Sequence, residues 1–211
     1  MSRVLSVNAG RPVQVSVRRG RPVMSAIAKA PVEGRVRVAG VNLEGDDQAD
    51  RRVHGGPDKA VYAYASEDTA WWSAELGRAL GAGMFGENLT LEGVEVSGAL
   101  VGERWRIGTC ELEVCQPRLP CFKLGLRFGD PLMVRRFGEA SRPGAYLRIV
   151  QEGELGAGDA VAVVHRPAHG VTVALVSRAI LLDDSLRTAA AVAPELAAGL
   201  AKYLRAGDQA A

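Results

Sequence analysis

A mainly β, α+β fold is predicted for this chain: a β-barrel-like domain carrying a few short helices, followed by a C-terminal three-helix appendage. Three observations carry the prediction. Apolar and polar residues alternate through the first forty positions as in half-buried strands, and the middle of the chain returns to short strands. Clusters of Gly, Pro and Asp interrupt the alternation at short intervals and mark turns. After His169-Gly170 the β-pattern gives way to an Ala- and Leu-rich stretch with helical spacing. The expected division is residues 1–168 for the β domain and 169–211 for the helical extension.

Taken in order, Val13, Val15 and Val17 share one face of a strand, and Val36 and Val38 are interleaved with Arg35 and Arg37. A polar loop from Glu44 to Arg52 leads into His54-Gly55-Gly56-Pro57, and the following KAVYAYA reads as a mostly buried strand. Ser66 is an N-cap candidate with Glu67 and Asp68 in the first turn. Trp72, Leu76, Ala79 and Leu80 then recur on one helical face, and Gly81 and Gly83 are expected to end that helix. ENLTLEG, ERWRIG and TCELEVCQ read as strands; in the last, Cys110, Leu112 and Val114 face one way and Glu111 and Glu113 the other. Gly129 and Pro131 split CFKLGLRFGDPLMVRRFGEA into two short helices. AYLRIVQEGELGAGDAVAVV reads as a hairpin that closes a barrel. In the tail, Thr172 caps a helix through Ile180, Asp183 or Asp184 a second, and Pro194 begins a third with Leu196, Leu200, Tyr203 and Leu204 aligned.

Composition bounds the function. With 211 residues, 47% of them hydrophobic and 24% charged, the chain can bury a core without staples. Lys and Arg number 26 against 24 Asp and Glu, so the net charge of +2 creates no field favouring nucleic acid or an anionic membrane. No apolar run is long enough to span a bilayer, and MSRVLSVNAG lacks the apolar core of a secretory signal, so a cytoplasmic location is expected. Cys110, Cys115 and Cys121 form an odd set, a poor disulfide framework. Their C-x4-C-x5-C spacing is not that of a paired-CxxC zinc site, although one Cys, His54 and a remote ligand could still meet in space.

Three segments break the core pattern with Gly or Pro beside polar side chains: HGGPDKA, FGENLT and CQPRLPCFKL. In the first, the amides of Gly55 and Gly56 can approach an anion closely; a tight turn with a surface His is the plainer reading. In the second, Asn88 offers donors and acceptors beside the Glu87 carboxylate, suited to orienting a polar ring, although Gly-Glu-Asn is also an ordinary turn. In the third, Pro117 and Pro120 force an extended path that presents Arg118 and Cys121. If Cys121 starts a helix, its sulfur sits at the positive end of the dipole, with Arg118 and Lys123 nearby, which favours a thiolate able to bind a soft metal or attack an electrophile. A buried, inert Cys is the alternative.

Together with IAKAPVEG, GDDQADRRVHGGPDKAVYAY, GMFGENLT and GAYLRIVQEGELGAGDAV, these segments resemble the MOSC family, named for the C-terminal domain of molybdenum cofactor sulfurase, and within it the short bacterial YiiM-like branch. The resemblance covers roughly residues 25–165, and the helical tail looks like the three-helix extension of that branch. It implies a barrel-like domain holding molybdenum in a pyranopterin dithiolene, with Cys121 as the metal's protein ligand. It also implies reduction of N-hydroxylated compounds: hydroxylaminopurines, hydroxylamines and amidoximes. Arg118 and Lys59 are candidates for the pterin phosphate, His54, Gly55, Gly56 and Asn88 for further cofactor contacts, and His54, then Glu87, for the proton donor. No flavin or nicotinamide fingerprint is present, so a separate reductase is expected to supply electrons. Two other classes stay open: a cofactor-binding or carrier module without turnover, and a Cys-based hydrolase or sulfur carrier using Cys121 with His54. Pyridoxal phosphate is disfavoured because no motif supports a Schiff-base Lys. The sequence is compatible with an oligomer.

Overall fold

The alternation becomes a large sheet whose two faces bury different residues. The computed structural model describes residues 1–50 and 55–206. Along the chain lie β1 (Arg3–Ala9), β2 (Val13–Arg18), β3 (Arg21–Ser25), β4 (Ala30–Pro31), β5 (Arg35–Ala39), β6 (Asn42–Leu43) and β7 (Val61–Ala65). Helix α1 (Ser66–Leu76) precedes β8 (Leu89–Glu92), β9 (Arg104–Ile107) and β10 (Cys110–Pro117), and α2 (Phe122–Phe128) and α3 (Met133–Glu139) follow. Then come β11 (Ala145–Gln151), β12 (Gly153–Gly156), β13 (Val161–His165) and the helices α4 (Val173–Leu181), α5 (Arg187–Ala190) and α6 (Ala198–Ala206).

Among the described residues the main sheet runs β13-β9-β10-β11-β7-β8-β1-β4, and β5 with β6 and β12 forms a second, three-stranded sheet. Only β7 and β8 pair in parallel, with α1 as their crossover; the other pairs are antiparallel. The main sheet does not close by a continuous ladder. Its ends meet instead at a single bridge between Arg3 and Ala160, just ahead of β13.

Strand β7 shows how the period of two builds the interior. Val61, Ala63 and Ala65 point into a core shared with Val36 and Val38 of β5, Trp105, Ile107 and Leu112. Tyr62 and Tyr64 point the other way, into an aromatic cluster with Trp72 of α1, Phe85, Phe128 and Phe137. The short helices α2 and α3 supply that second layer, split by Gly129 and Pro131 as expected.

The structure corrects several expectations. Ala65, not Ser66, is the N-cap of α1, because Ser66 already has helical geometry and its hydroxyl bonds Glu67. The helix stops at Gly77, whose φ of 62° lets its amide close back on Ala74; Ala79 and Leu80 lie beyond. The segment after β11 is no hairpin: β11 pairs with β10 and β7, β12 with β5, and β13 with β9, so three successive strands take different partners. Val13 and Val17 are in a strand but largely exposed. The last helix begins at Ala198 rather than Pro194, because the Ala197 amide is held by the Cys115 carbonyl of β10.

Residues 169–206 carry their own apolar cluster, with Val171, Val176, Ala179, Leu196 and Leu204 packed on Val101. The cluster is joined to the β layer: Val173 of α4 belongs to the sheet core, and the Val101 amide donates to the Val171 carbonyl at 3.0 Å. Thr172 caps α4 as expected, its hydroxyl accepting from the Leu175 amide at 3.0 Å. Replacing Thr172 by Ala is expected to lower the unfolding free energy by about 1 kcal/mol, read by chemical denaturation, with little change for Thr172→Ser.

Candidate functional site

The HGGPDKA loop is pinned by backbone and charge together. Gly56, at φ 94°, turns the chain into a single 3-10 turn, Pro57–Lys59. The Asp58 carbonyl accepts from Gln116 Nε2 at 2.7 Å and from the Cys115 thiol at 3.0 Å, and the Asp58 carboxylate takes Arg148 Nη2 at 2.8 Å. Lys59 is thereby held half-buried, and burial lowers its proton affinity against the pull of Asp58.

The GMFGENLT segment is organised around two buried side chains. The Glu87 carboxylate accepts from the Gly83 amide at 2.6 Å, the Phe85 amide at 3.0 Å and the Thr90 hydroxyl at 2.9 Å. Burial still raises its pKa above the usual carboxylate range, against those same hydrogen bonds. Asn88 accepts from the Tyr62 amide at 3.0 Å and donates to the Asn8 carbonyl at 3.2 Å and to Asp46 Oδ2 at 2.9 Å. The other oxygen of Asp46 takes the Gly10 amide at 2.8 Å and pairs with Lys29 Nζ. Both side chains of that ion pair are more than nine-tenths buried. Desolvation lowers the pKa of Lys29 against the charges of Asp46, Glu87 and Asp47.

In CQPRLPCFKL, β10 continues to Pro117, opposite Ala145. Arg118 follows, only 6% exposed, with its guanidinium carbon 5.5 Å from the centre of the Tyr62 ring and 5.2 Å from that of Phe137. Its Nη1 is buried with no hydrogen-bond partner among the described residues. Cys121 stands at the N-cap of α2 in extended backbone, half-buried. The other two thiols differ. Cys110 is inside the sheet core, where burial pushes its pKa up to about 11, and Cys115 is pushed higher still by deeper burial, its thiol donating to the Asp58 carbonyl.

Lys29, Asp46, Lys59, Arg118, Cys121 and Lys123 line one open cleft of about 680 Å3, mouth included, with Tyr62, Asn88 and Tyr146 in its walls. Of the residues expected from sequence, Lys59, Asn88, Arg118 and Cys121 therefore converge. Gly55 and Gly56 lead into Lys59 on the same loop, and Glu87 is a fully buried brace of the loop carrying Gly86 and Asn88. His54 lies outside the described residues. Sequence reasoning missed Lys29 and Asp46 as site residues. Asp46 reads as part of a polar loop and Lys29 is given no role, and only their presence in GDDQAD and IAKAPVEG marked them.

The sequence profile of the MOSC domain matches residues 50–162. The chain is also 37% identical over 175 residues to the uncharacterised protein YflK of Bacillus subtilis, covering 83% of this chain and 79% of that protein. This chain belongs to the MOSC family. Among other relatives, protein YiiM of Escherichia coli is 34% identical over 150 residues, 70% of this chain and 66% of its own length. A protein named reductase from Gibberella moniliformis is 32% identical over 181 residues, 84% of this chain but 32% of that longer protein. In three dimensions this MOSC chain is similar to the crystal structure of YiiM from Geobacillus stearothermophilus, with a TM-score of 0.79, 27% identity, and coverage of 98% of this chain and 99% of that one. MOSC domains are associated with binding of the molybdenum cofactor. No described helix of this member is long and apolar enough to cross a membrane.

The residues present fit such a group. Among the described residues no three His, Cys, Asp or Glu side chains gather as a metal cage. A metal brought by a dithiolene cofactor carries most of its own ligands and would take one soft protein ligand in addition. Cys121 is the cleft's thiol, and the unpartnered Arg118 Nη1 is a donor awaiting an anionic acceptor. With the other two thiols buried and their pKa values raised, iodoacetamide near neutral pH should label Cys121 first in the cofactor-free protein. Peptide mass spectrometry checks this, and faster labelling of Cys110 or Cys115 would contradict the thiol assignment.

Proposed function

We propose that this MOSC protein is a molybdenum-cofactor-dependent reductase of N-hydroxylated compounds, with Cys121 as the metal's protein ligand and electrons supplied by a separate reductase. One observation carries the reading: a half-buried thiol and a buried guanidinium with an unpartnered nitrogen line the same cleft. When bound, the cofactor supplies two-electron chemistry suited to converting N–OH to N–H and water. The hydroxylaminopurines, hydroxylamines and amidoximes are the substrate classes implied by the family resemblance.

The chain's own residues bind, orient and protonate. Arg118, its guanidinium carbon over the Tyr62 and Phe137 rings, would offer its planar fork to the cofactor's phosphate, with Lys59 and the Gly55 and Gly56 amides as further donors. Asn88 has both amide hydrogens and its oxygen engaged by protein, so it acts by fixing the cleft wall rather than by reaching across it. Lys29 is suited to give a proton from Nζ: burial weakens its hold on that proton, and Asp46 keeps the amine in place. Glu87, fully buried beneath its three hydrogen bonds, keeps the loop shape that this arrangement needs.

Protein made in a host that synthesises the cofactor should release a fluorescent oxidised pterin and carry molybdenum. Cys121→Ser should then lose nearly all turnover of an N-hydroxylated substrate with a chemical electron donor while remaining folded, because a hydroxyl is a poor replacement for a thiolate on a soft metal. Undiminished turnover by Cys121→Ser would remove it as ligand, and a pterin-loaded wild type with no turnover would identify a carrier instead.

Arg118→Ala should weaken pterin retention more than Arg118→Lys does. The expected loss is about 1.5–3 kcal/mol, as for a charged hydrogen bond. Pterin release after gel filtration measures it, and equal retention in wild type and both variants would take Arg118 out of the site.

A further inference from the structure

The hairpin of β2 and β3 forms a two-stranded sheet of its own, and its outer end breaks several local rules at once. The turn is Arg19-Gly20, with positive φ at both residues, 52° and 74°. Asn, Asp or Gly is the usual first residue of such a turn, because a larger side chain is strained in the left-handed region. Arg18 and Arg21 stand directly opposite one another across the ladder, where like charges repel. Among the described residues no carboxylate pairs with Arg18, Arg19 or Arg21. Arg18 lies over the exposed Phe122 ring instead, 5.3 Å from its centre.

A strained turn and a repelling pair, with no internal counter-charge, mark a place where something other than the stability of the isolated chain sets the sequence. The composition suits a protein partner. Arginines beside exposed Met24, Val13, Val17 and Phe122 combine the cationic and apolar side chains enriched at protein interfaces. A net charge of only +2 supplies no whole-molecule field to draw in a nucleic acid or an anionic membrane.

The position also matters. Strand β3 runs directly into Ser25, Ala26 and Ile27, which line the cleft, and Phe122 is the residue after Cys121. We infer that the Arg18–Arg21 end of the hairpin, together with Phe122, is the docking surface for an acidic electron-carrier protein serving the cleft. The inference rests on the reductase reading above. Converting N–OH to N–H and water consumes two electrons, which a carrier's flavin hydroquinone supplies on becoming oxidised flavin, and two protons, which the cleft draws from Lys29 and solvent.

The test uses cofactor-loaded protein and a purified flavodoxin, an acidic flavin carrier, as the probe. Binding of labelled flavodoxin is followed by fluorescence anisotropy, and turnover is driven either by reduced flavodoxin or by reduced methyl viologen. The triple variant R18E/R19E/R21E should lose about tenfold or more in flavodoxin affinity and flavodoxin-driven kcat/KM, with viologen-driven turnover unchanged. R18K/R19K/R21K should keep most of the binding, and high salt should abolish it in the wild type. Arg19→Gly, which relieves the turn, should raise Tm while weakening flavodoxin binding; a purely structural arginine would give the first effect without the second.

The inference is overturned if wild type does not bind flavodoxin, if the triple Glu variant binds it equally, or if viologen-driven turnover falls in parallel. Tighter binding of duplex DNA or phosphatidylglycerol vesicles than of flavodoxin by the same hairpin would overturn it too. Viologen-driven turnover without flavodoxin binding would sink the docking surface alone. Hairpin-dependent flavodoxin binding without any turnover would sink the reductase reading and leave the surface standing.

Discussion

The cleft depends on the hydrogen-bonded node that Asp46 and Asn88 make together. Through it the end of β1 at Asn8 and Gly10, the Lys29 segment, the loop after β6, strand β7 at Tyr62 and the turn into β8 are all tied to one another. None of these bonds belongs to a strand ladder, so no sheet pairing would replace one that was lost. A buried ion pair is of uncertain net benefit against an apolar alternative, but removing one partner strands the other charge in a low-dielectric interior. The Asp46–Lys29 pair is therefore better understood as a constraint on geometry than as a source of stability. Its geometric product is a wall that keeps Tyr62, Asn88 and Lys29 facing the same space.

The same logic explains why a loop-built site can be rigid. The HGGPDKA loop is attached to β10 through Asp58, Cys115 and Gln116 and to β11 through Arg148. Arg118 lies over aromatic rings supplied from β7 and α3. Irregular backbone surrounds the cleft, yet Asn88 and Arg118 are oriented by partners on regular structure, Tyr62 of β7 and Phe137 of α3.

Much of this was legible in the sequence, and the failures have physical causes. Alternation in β10 correctly placed Cys110, Leu112 and Val114 together on the core face, because the period of two is a property of the strand itself. It could not reveal partners: β12 is four residues containing two glycines, too weak a pattern to signal a strand, so the segment around it read as a hairpin. Helix α1 was read too long because Ala79 and Leu80 continue the apolar spacing past Gly77, and Leu80 does pack against the aromatic cluster from outside the helix. Within the site, Arg118, Cys121, Lys59 and Asn88 stood out because Gly and Pro beside them interrupt the core pattern. Lys29 and Asp46 carry no such punctuation. Their burial comes from tertiary contacts that local spacing does not encode; Glu87 was singled out with Asn88, but its role as a brace rests on short-range bonds to the amides of Gly83 and Phe85 that its residue type alone does not announce.

The cleft's lining is gathered from Ser25 to Tyr146, and the sheet's two ends are joined by the bridge between Arg3 and Ala160. Contacts between such distant positions form only after large loops have been closed, which makes this a topology of high contact order. The cleft's walls are therefore a product of the finished fold, complete only once the chain's longest-range pairings have formed, and no ligand of that cleft could meet its full set of contacts sooner.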